Sequence, residues 1–229
     1  MNYILSIDTS TRISSVAIHK QGELVCESIN RIENSHAESL PSAIKGVLAE
    51  CRMEFKDLSA VAISKGPGSY TGLRIGVSMA KGICYGNDIP LMGISTLKSM
   101  ALEVISSKNI SGILCPMIDA RRMEVYCQFF DDELEELSQV QAMIIDENSL
   151  DNWTQKEQVY YFGDGAKKCV EILNNPKITL IEDVYPYAKN IGILAWEKFR
   201  SEEFENLAYF EPYYLKDFIA KKPSGKNLV

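Results

Sequence analysis

The chain has 229 residues, 46% of them hydrophobic and 24% charged, with a formal net charge of −7. A chain of this size buries roughly 70–75% of the surface it exposes when unfolded, so it needs neither a disulfide nor a metal to fold. The composition excludes a collagen, a low-complexity chain and a disulfide scaffold, and no apolar run approaches the ~20 residues that span a bilayer.

The opening MNYILSIDTS has no basic leader and meets Asp8 after a short apolar run, so residues 3–7 read as a strand and no signal peptide is expected. YILSID is followed by a polar turn over 9–12, then SSVAIHK as a second strand. Gln21-Gly22 turns the chain into ELVCESI, a third strand with period-2 alternation. A helix opens at Asn34-Ser35-His36-Ala37-Glu38, where Ser35 as N-cap and Glu38 three residues on form a capping box. Leu40, Ile44, Val47, Leu48 and Cys51 then make one apolar stripe. Pro41 falls within the first two turns and leaves the helix start open. AVAIS at 60–64 is a short apolar run closed by Lys65-Gly66-Pro67-Gly68, and a second helix follows over 72–85. Leu73, Val77, Ala80 and Cys84 give it an apolar face, beside a bare strip of Gly72, Gly76 and Ala80. Glycine costs about 1 kcal/mol per residue in helix propensity, so a close approach of another element must offset it.

The second half starts in the same way. Residues 113–119 form an apolar strand, interrupted by Pro116 and ending in Asp119; residues 120–123 turn, and EVYCQFF runs out over 124–130. LSID-TSTRIS-SVAIH and MID-ARRM-EVYCQ both read strand, aspartate, turn, strand, and 119 − 8 = 111 residues separate the two aspartates. A repeat of that length is a duplicated domain rather than a solenoid unit. VYYFGDG, a helix around 188–200 and EPYYLKDF complete the pattern.

Several motifs carry candidate chemistry. The turn Asp8-Thr9-Ser10 could orient a hydrated Mg²⁺ and receive phosphate oxygens, although the same residues most often just satisfy a turn. Gly66-Pro67-Gly68-Ser69-Tyr70-Thr71-Gly72 is the most distinctive stretch. It is neither a P-loop, nor a dinucleotide fingerprint, nor a nucleophile elbow, so a tight turn feeding a closely packed helix is the better reading. His19 and His36 form no H-x-x-x-H or H-E-x-x-H pattern, which excludes a helix-borne metal pair; His36 reads as a first-turn surface residue. Arg121 and Arg122 beside Glu124 suit a phosphate or a partner's carboxylate as well as they suit a solvated turn. Lys216, Lys221, Lys222 and Lys226 make a basic tail that either touches RNA or hangs free, while the overall acidity argues against a strong grip on nucleic acid by this chain alone. Cys26, Cys51, Cys84, Cys115, Cys127 and Cys169 stand far apart, which fits free, buried thiols in a reducing cytoplasm.

ILSIDTST, SKGPGSYTGLRIGVSMAKGI and MIDARRMEVY, in this order and spacing, resemble the bacterial TsaB (YeaZ, glycoprotease-like) family along essentially the whole chain; GDGA and PYYLK are weaker matches. The resemblance implies an α/β, actin/hexokinase/Hsp70-like duplicated fold, in two lobes each with a mixed sheet flanked by helices. The lobes are expected over 1–104 and 105–229, with the last helical segment packing back on the first lobe. It also implies a non-catalytic, cytoplasmic subunit needed to make N6-threonylcarbamoyladenosine at position 37 of tRNAs that read ANN codons. Its partners would be the paralogous transferase TsaD, the ATPase TsaE and, through the assembly, tRNA, with a homodimer when alone. TsaD holds its metal with a histidine pair that this chain lacks, so no metal is expected here. Asp8, Thr9, Ser10 and Asp119 become remnants of a nucleotide site. Ala120-Arg121-Arg122-Met123 stand where related folds place glycine turns and should obstruct a phosphate, so neither ATP nor ADP is expected as a cofactor. The two helices become the pairing surface, through His36, Leu40, Ile44, Gly72, Leu73, Gly76, Val77 and Ala80, unless the bare strip packs inside against the sheet. The rival reading is a Mg-ATP-dependent phosphotransferase of the same fold built on Asp8 and Asp119. A peptidase ranks last, for want of a metal pair, a Ser-His pattern or a Cys-His pattern.

Overall fold

The computed structural model describes residues 2–32, 36–108 and 110–216. The first sheet contains β1 (Tyr3–Asp8), β2 (Ser14–Lys20), β3 (Glu23–Asn30), β4 (Ala60–Gly66) and β5 (Leu91–Ser95), in the order β3-β2-β1-β4-β5. The second contains β6 (Ile113–Asp119), β7 (Glu124–Cys127), β8 (Gln141–Ile144), β9 (Val159–Phe162) and β10 (Ile178–Ile181), in the order β8-β7-β6-β9-β10. The two orders are one topology used twice. In each, the first three strands pair antiparallel and the last two join in parallel. The repeated strand–aspartate–turn–strand thus marks equivalent hairpins, β1–β2 and β6–β7, with Asp8 and Asp119 at matching ends of the central strands. EVYCQFF ends as a strand at Cys127; Phe130 beyond it bridges to Leu114 instead.

Parallel neighbours need crossover helices, and these cover the sheets. On one face of the first sheet, α1 (His36–Glu50) and α2 (Tyr70–Asn87) bring Leu40, Ile44, Val47, Val77 and Cys84 onto Leu5, Ile7, Val16 and Ile18. On the other, α5 (Ala188–Arg200) brings Ile191 and Ala195 onto Ile4, Ala60, Ala62, Met92 and Ile94. With both faces covered, YILSID is apolar without strict alternation. Between the lobes, α3 (Thr96–Ser107) packs Leu97, Met100 and Val104 on Leu114, Ile118 and Phe162 of the second lobe. The short α4 (Asp151–Thr154) sets Trp153 against Phe129, with ring centroids 4.2 Å apart. Lys189 and Asn190 of α5 both bond Glu103 of α3, at 2.9 and 2.7 Å, and so join the elements that cross between lobes.

The start of α5 explains His19. The Ser15 hydroxyl accepts the Ala188 N–H at 2.8 Å, and His19 Nε2 meets the Lys189 carbonyl at 2.9 Å. Gly192 lies against the imidazole so closely that a Cβ there would collide with it. Burial lowers the His19 pKa to about 4, so the ring is a neutral packing element.

After α5 the chain crosses the first lobe again. Glu205 bridges Leu91, Phe210 enters the first core, and Tyr213 N–H donates to the Lys65 carbonyl at 2.7 Å. Lys81 on α2 donates to the Ala208 and Phe210 carbonyls at 3.2 and 3.1 Å. Lys216 pairs with Glu124 at 2.5 Å, so this member of the expected basic tail is held on the second lobe. Lys221, Lys222 and Lys226 lie outside the described residues, as does the Ser35 cap. Among the described residues no helix is long and apolar enough to cross a membrane.

Candidate functional site

Two aspartate turns stand at matching ends of the central strands, and each is covered by glycines from its own lobe. Asp8, Thr9 and Ser10 are fully buried. The Ser10 N–H and hydroxyl both donate to the Asp8 carboxylate, at 3.1 Å. The signature loop lies directly on this turn: Ser69 N–H donates to the Ser10 carbonyl at 2.7 Å, and the Thr9 hydroxyl donates to the Gly72 carbonyl at 2.8 Å. A Cβ at Gly68 or Gly72 would fall well inside 3 Å of the Ser10 or Thr9 carbonyl oxygen. Gly66 turns the chain at φ +109° and follows β4 into the loop through a cis bond to Pro67. Ser69 then caps α2, accepting the Gly72 N–H at 3.2 Å. The glycines therefore serve backbone-on-backbone packing. Burial raises the Asp8 pKa to about 7, against the lowering effect of its Ser10 hydrogen bonds.

The second lobe repeats the device. Gly163-Asp164-Gly165 follows β9 as the signature loop follows β4, and Gly165 packs on the backbone of Ile118 and Asp119. Asp164 accepts the Asp119 N–H at 3.1 Å; burial pushes its own pKa up, opposed by that bond and by the Arg12 guanidinium from the first lobe. Asp119 is the more open aspartate, but its carboxylate is engaged by the Lys168 ammonium and by the Arg121 N–H at 2.9 Å. Lys168 also donates to the Glu124 carbonyl at 2.6 Å. Arg121 and Arg122 hold φ of +71° and +51°, left-handed backbone that glycine adopts freely and arginine only at a cost. The Asp8 carboxylate is thus fully buried, whereas that of Asp119 is exposed and held by Lys168 and the Arg121 N–H. Among the described residues no group of three or more His, Cys, Asp or Glu side chains is placed to hold a metal.

The candidate pairing residues follow the alternative that the sequence left open, packing inward. Leu40, Ile44, Gly72, Leu73, Gly76, Val77 and Ala80 are all buried within the first lobe. The bare strip faces inward because the Thr9 turn and Ile63 occupy the space that side chains at Gly72 and Gly76 would need. His36 is buried as well, not a surface residue: its Nε2–H donates to the Thr11 carbonyl at 2.8 Å and pins the first turn of α1. The outward face of α2 carries a second small-residue strip, Ser78, Gly82 and Gly86, and open space surrounds the Cβ direction at both glycines. With α1 this face bounds a groove of about 840 Å³, lined by Ala37, Phe55, Arg74, Ile75, Met79 and Gly82 among others. Tyr70 closes one end, accepting a hydrogen bond from Arg74 at 2.9 Å and meeting Tyr214 with ring centroids 5.0 Å apart. This second strip has the same spacing of four as the first and was open to the same sequence argument.

Comparisons with known proteins agree with this architecture. A family model described as TsaD, tRNA N6-adenosine threonylcarbamoyltransferase, matches residues 26–224. A Bacillus subtilis protein, tRNA threonylcarbamoyladenosine biosynthesis protein TsaB, is 37% identical over 123 residues, 54% of this chain and 52% of that protein, so this alignment spans about half of the relative. The TsaB protein of Buchnera aphidicola (subsp. Schizaphis graminum) is 32% identical over 192 residues, 82% of this chain and 90% of that protein. The YeaZ structure from Pseudomonas aeruginosa superposes with a TM-score of 0.83, covering 94% of this chain and all of that one at 23% identity, which establishes the duplicated actin-like fold. Two lobes of one topology, glycine loops laid on both aspartate turns, a family model matching residues 26–224 and a TsaB relative 32% identical over 82% of the chain lead to one conclusion: the chain belongs to the TsaB (YeaZ) family of tRNA threonylcarbamoyladenosine biosynthesis proteins.

Proposed function

We propose that this chain is a non-catalytic, cytoplasmic subunit that scaffolds the transferase TsaD for threonylcarbamoyladenosine synthesis and offers the groove between α1 and α2 as the docking surface. The observation that carries the reading is the contrast between the two faces of α2. Its inner glycines are consumed in covering the Asp8 turn, whereas Ser78 and Gly82 line an open groove with apolar walls at Ile75 and Met79. A bare strip lets a partner helix approach closely, and a stable pairing should bury roughly 1,000 Å² or more. The same groove would serve a homodimer when the partner is absent. TsaE and tRNA would join the assembled pair, since a chain with a net charge of −7 should draw little RNA alone. A Mg-ATP phosphotransferase reading has the covered Asp8 and the engaged Asp119 against it.

The test is size-exclusion chromatography with light scattering on this chain and TsaD from the same organism. A 1:1 complex is expected with the wild type, weakened at least tenfold by Gly82→Arg, a substitution that points into open space and leaves the fold intact. A complex that survives Gly82→Arg unchanged would remove the groove from the reading. No complex at all, with TsaD fully active alone, would remove the scaffold role.

A further inference from the structure

Two of the six thiols stand apart from the rest. Cys26 lies on β3 with its side chain in the first core, and Cys51 follows the last turn of α1. Their sulfurs are 2.8 Å apart across 25 residues of sequence. The helix end that presents Cys51 is firmly built: Met53 N–H donates to the Leu48 carbonyl and Arg52 N–H to the Ala49 carbonyl, with Arg52 at φ +53°, which is a Schellman termination. Cys51 is half-buried, so it can be reached from solvent, whereas Cys84, Cys115, Cys127 and Cys169 are fully buried. Neither the aspartate turns nor the groove uses this pair.

We propose that Cys26 and Cys51 form a hydroperoxide-sensitive dithiol that closes to a disulfide and staples the end of α1 to β3. Cys51 is the sulfur that meets the oxidant. Its thiol gives up a proton and the sulfur attacks one peroxide oxygen; the O–O bond breaks, Cys51 becomes a sulfenic acid, and the departing hydroxide takes up that proton and leaves as water. Cys26 then attacks the Cys51 sulfur, the S–O bond breaks, and a second water departs. Two thiols and one hydrogen peroxide thus give one disulfide and two waters, a two-electron oxidation of the pair. The order of events follows from the surroundings. Burial, the largest cause, together with its contact with Cys51 pushes the Cys26 thiol up to about 12, so Cys26 is the protonated, sheltered partner and the half-buried Cys51 is the one the oxidant reaches. Once Cys51 carries the sulfenic acid, Cys26 is already in contact with its sulfur.

The experiment is peptide mapping by mass spectrometry after brief exposure of the folded protein to hydrogen peroxide and alkylation of the remaining thiols under denaturing conditions. A peptide cross-linked through Cys26 and Cys51 is expected, with the intact protein about 2 Da lighter, the other four cysteines alkylated, and full reversal by dithiothreitol. Cys51→Ser should abolish the cross-link and leave Cys26 reduced. In Cys26→Ala, Cys51 should instead accumulate oxygen, gaining about 16 or 32 Da. Wild-type protein in which both cysteines remain alkylatable, or in which Cys51 climbs to the sulfinic acid without a cross-link, would overturn the proposal. A cross-link that formed only after unfolding would do the same.

Discussion

Replacing Asp8 by Asn removes the charge of the first aspartate turn and keeps its shape, and the structure fixes how stability should respond to pH. The Asp8 pKa rises from 3.8 to about 7 on folding, so the folded chain holds a proton that the unfolded chain has released. The stabilisation from that proton is complete below the unfolded value and is lost as the pH climbs through about 7. Roughly three units at ~1.4 kcal/mol each give about 4 kcal/mol across the window. His19 works in the opposite direction. Its pKa falls from 6.5 to about 4, so stability is lost as the pH drops through that range, by roughly 3 kcal/mol. In the wild type the two slopes largely cancel between about pH 4 and 6.5, and the curve alone reveals neither. In Asp8→Asn the His19 slope of this pair remains unopposed. The Asn carbonyl still accepts both the Ser10 N–H and the Ser10 hydroxyl, which reach Asp8 Oδ1 at 3.1 Å, so the turn keeps its hydrogen bonds. Urea unfolding followed by circular dichroism from pH 4.5 to 8 samples roughly 2.5 of those units and should show the variant gaining on the wild type by about 3 kcal/mol toward the alkaline end. With a urea slope of ~3 kcal/mol/M, the midpoint difference moves by about 1 M. A stability difference constant to within ~0.5 kcal/mol would refute the reasoning, because it would mean that Asp8 is as charged in the fold as out of it.

Two further substitutions test the packing argument. Gly76→Ala should cost about 2 kcal/mol or more, since its Cβ collides with the Thr9 hydroxyl and crowds Ile63, whereas Gly82→Ala on the same helix should gain up to ~1 kcal/mol from helix propensity; urea midpoints of the two variants decide it, and equal signs would sink the inward–outward distinction. Replacing Arg121 and Arg122 by glycine should stabilise the β6–β7 turn by about 1 kcal/mol per site, because both hold left-handed backbone, and thermal melts showing no gain would mean that the arginine side chains supply compensating contacts.

What the sequence disclosed and what it withheld follow from where each signal originates. The duplication was legible because a buried central strand ending in aspartate is a local pattern, and LSID and MID carry it in both halves. The α1 stripe was legible because Leu40, Ile44, Val47 and Leu48 meet the core at helical spacing. The elements from Leu91 to Ser107 gave no such signal: Ser95 ends β5 and at once caps α3, accepting the Lys98 N–H, so no turn residues separate strand from helix. The four-residue strands β8 and β10 are too short to display a period.

The sequence left the role of the bare strip open for a deeper reason. Helix α2 carries two small-residue strips of one spacing, Gly72, Gly76 and Ala80 on one side and Ser78, Gly82 and Gly86 on another. Periodicity places each strip on a face but cannot say what approaches that face. The contact that consumes the first strip is the Asp8 turn, more than sixty residues earlier in the chain, joined to it by the Thr9–Gly72 hydrogen bond with a sequence separation of 63. One hint lay in the sequence itself. The first strip borders Leu73, Val77 and Cys84, the apolar face that must turn to the core, while the second shares its side with Arg74 and Tyr85. A small residue beside the core face lets the chain's own backbone come close, and one beside exposed residues lets another molecule do so.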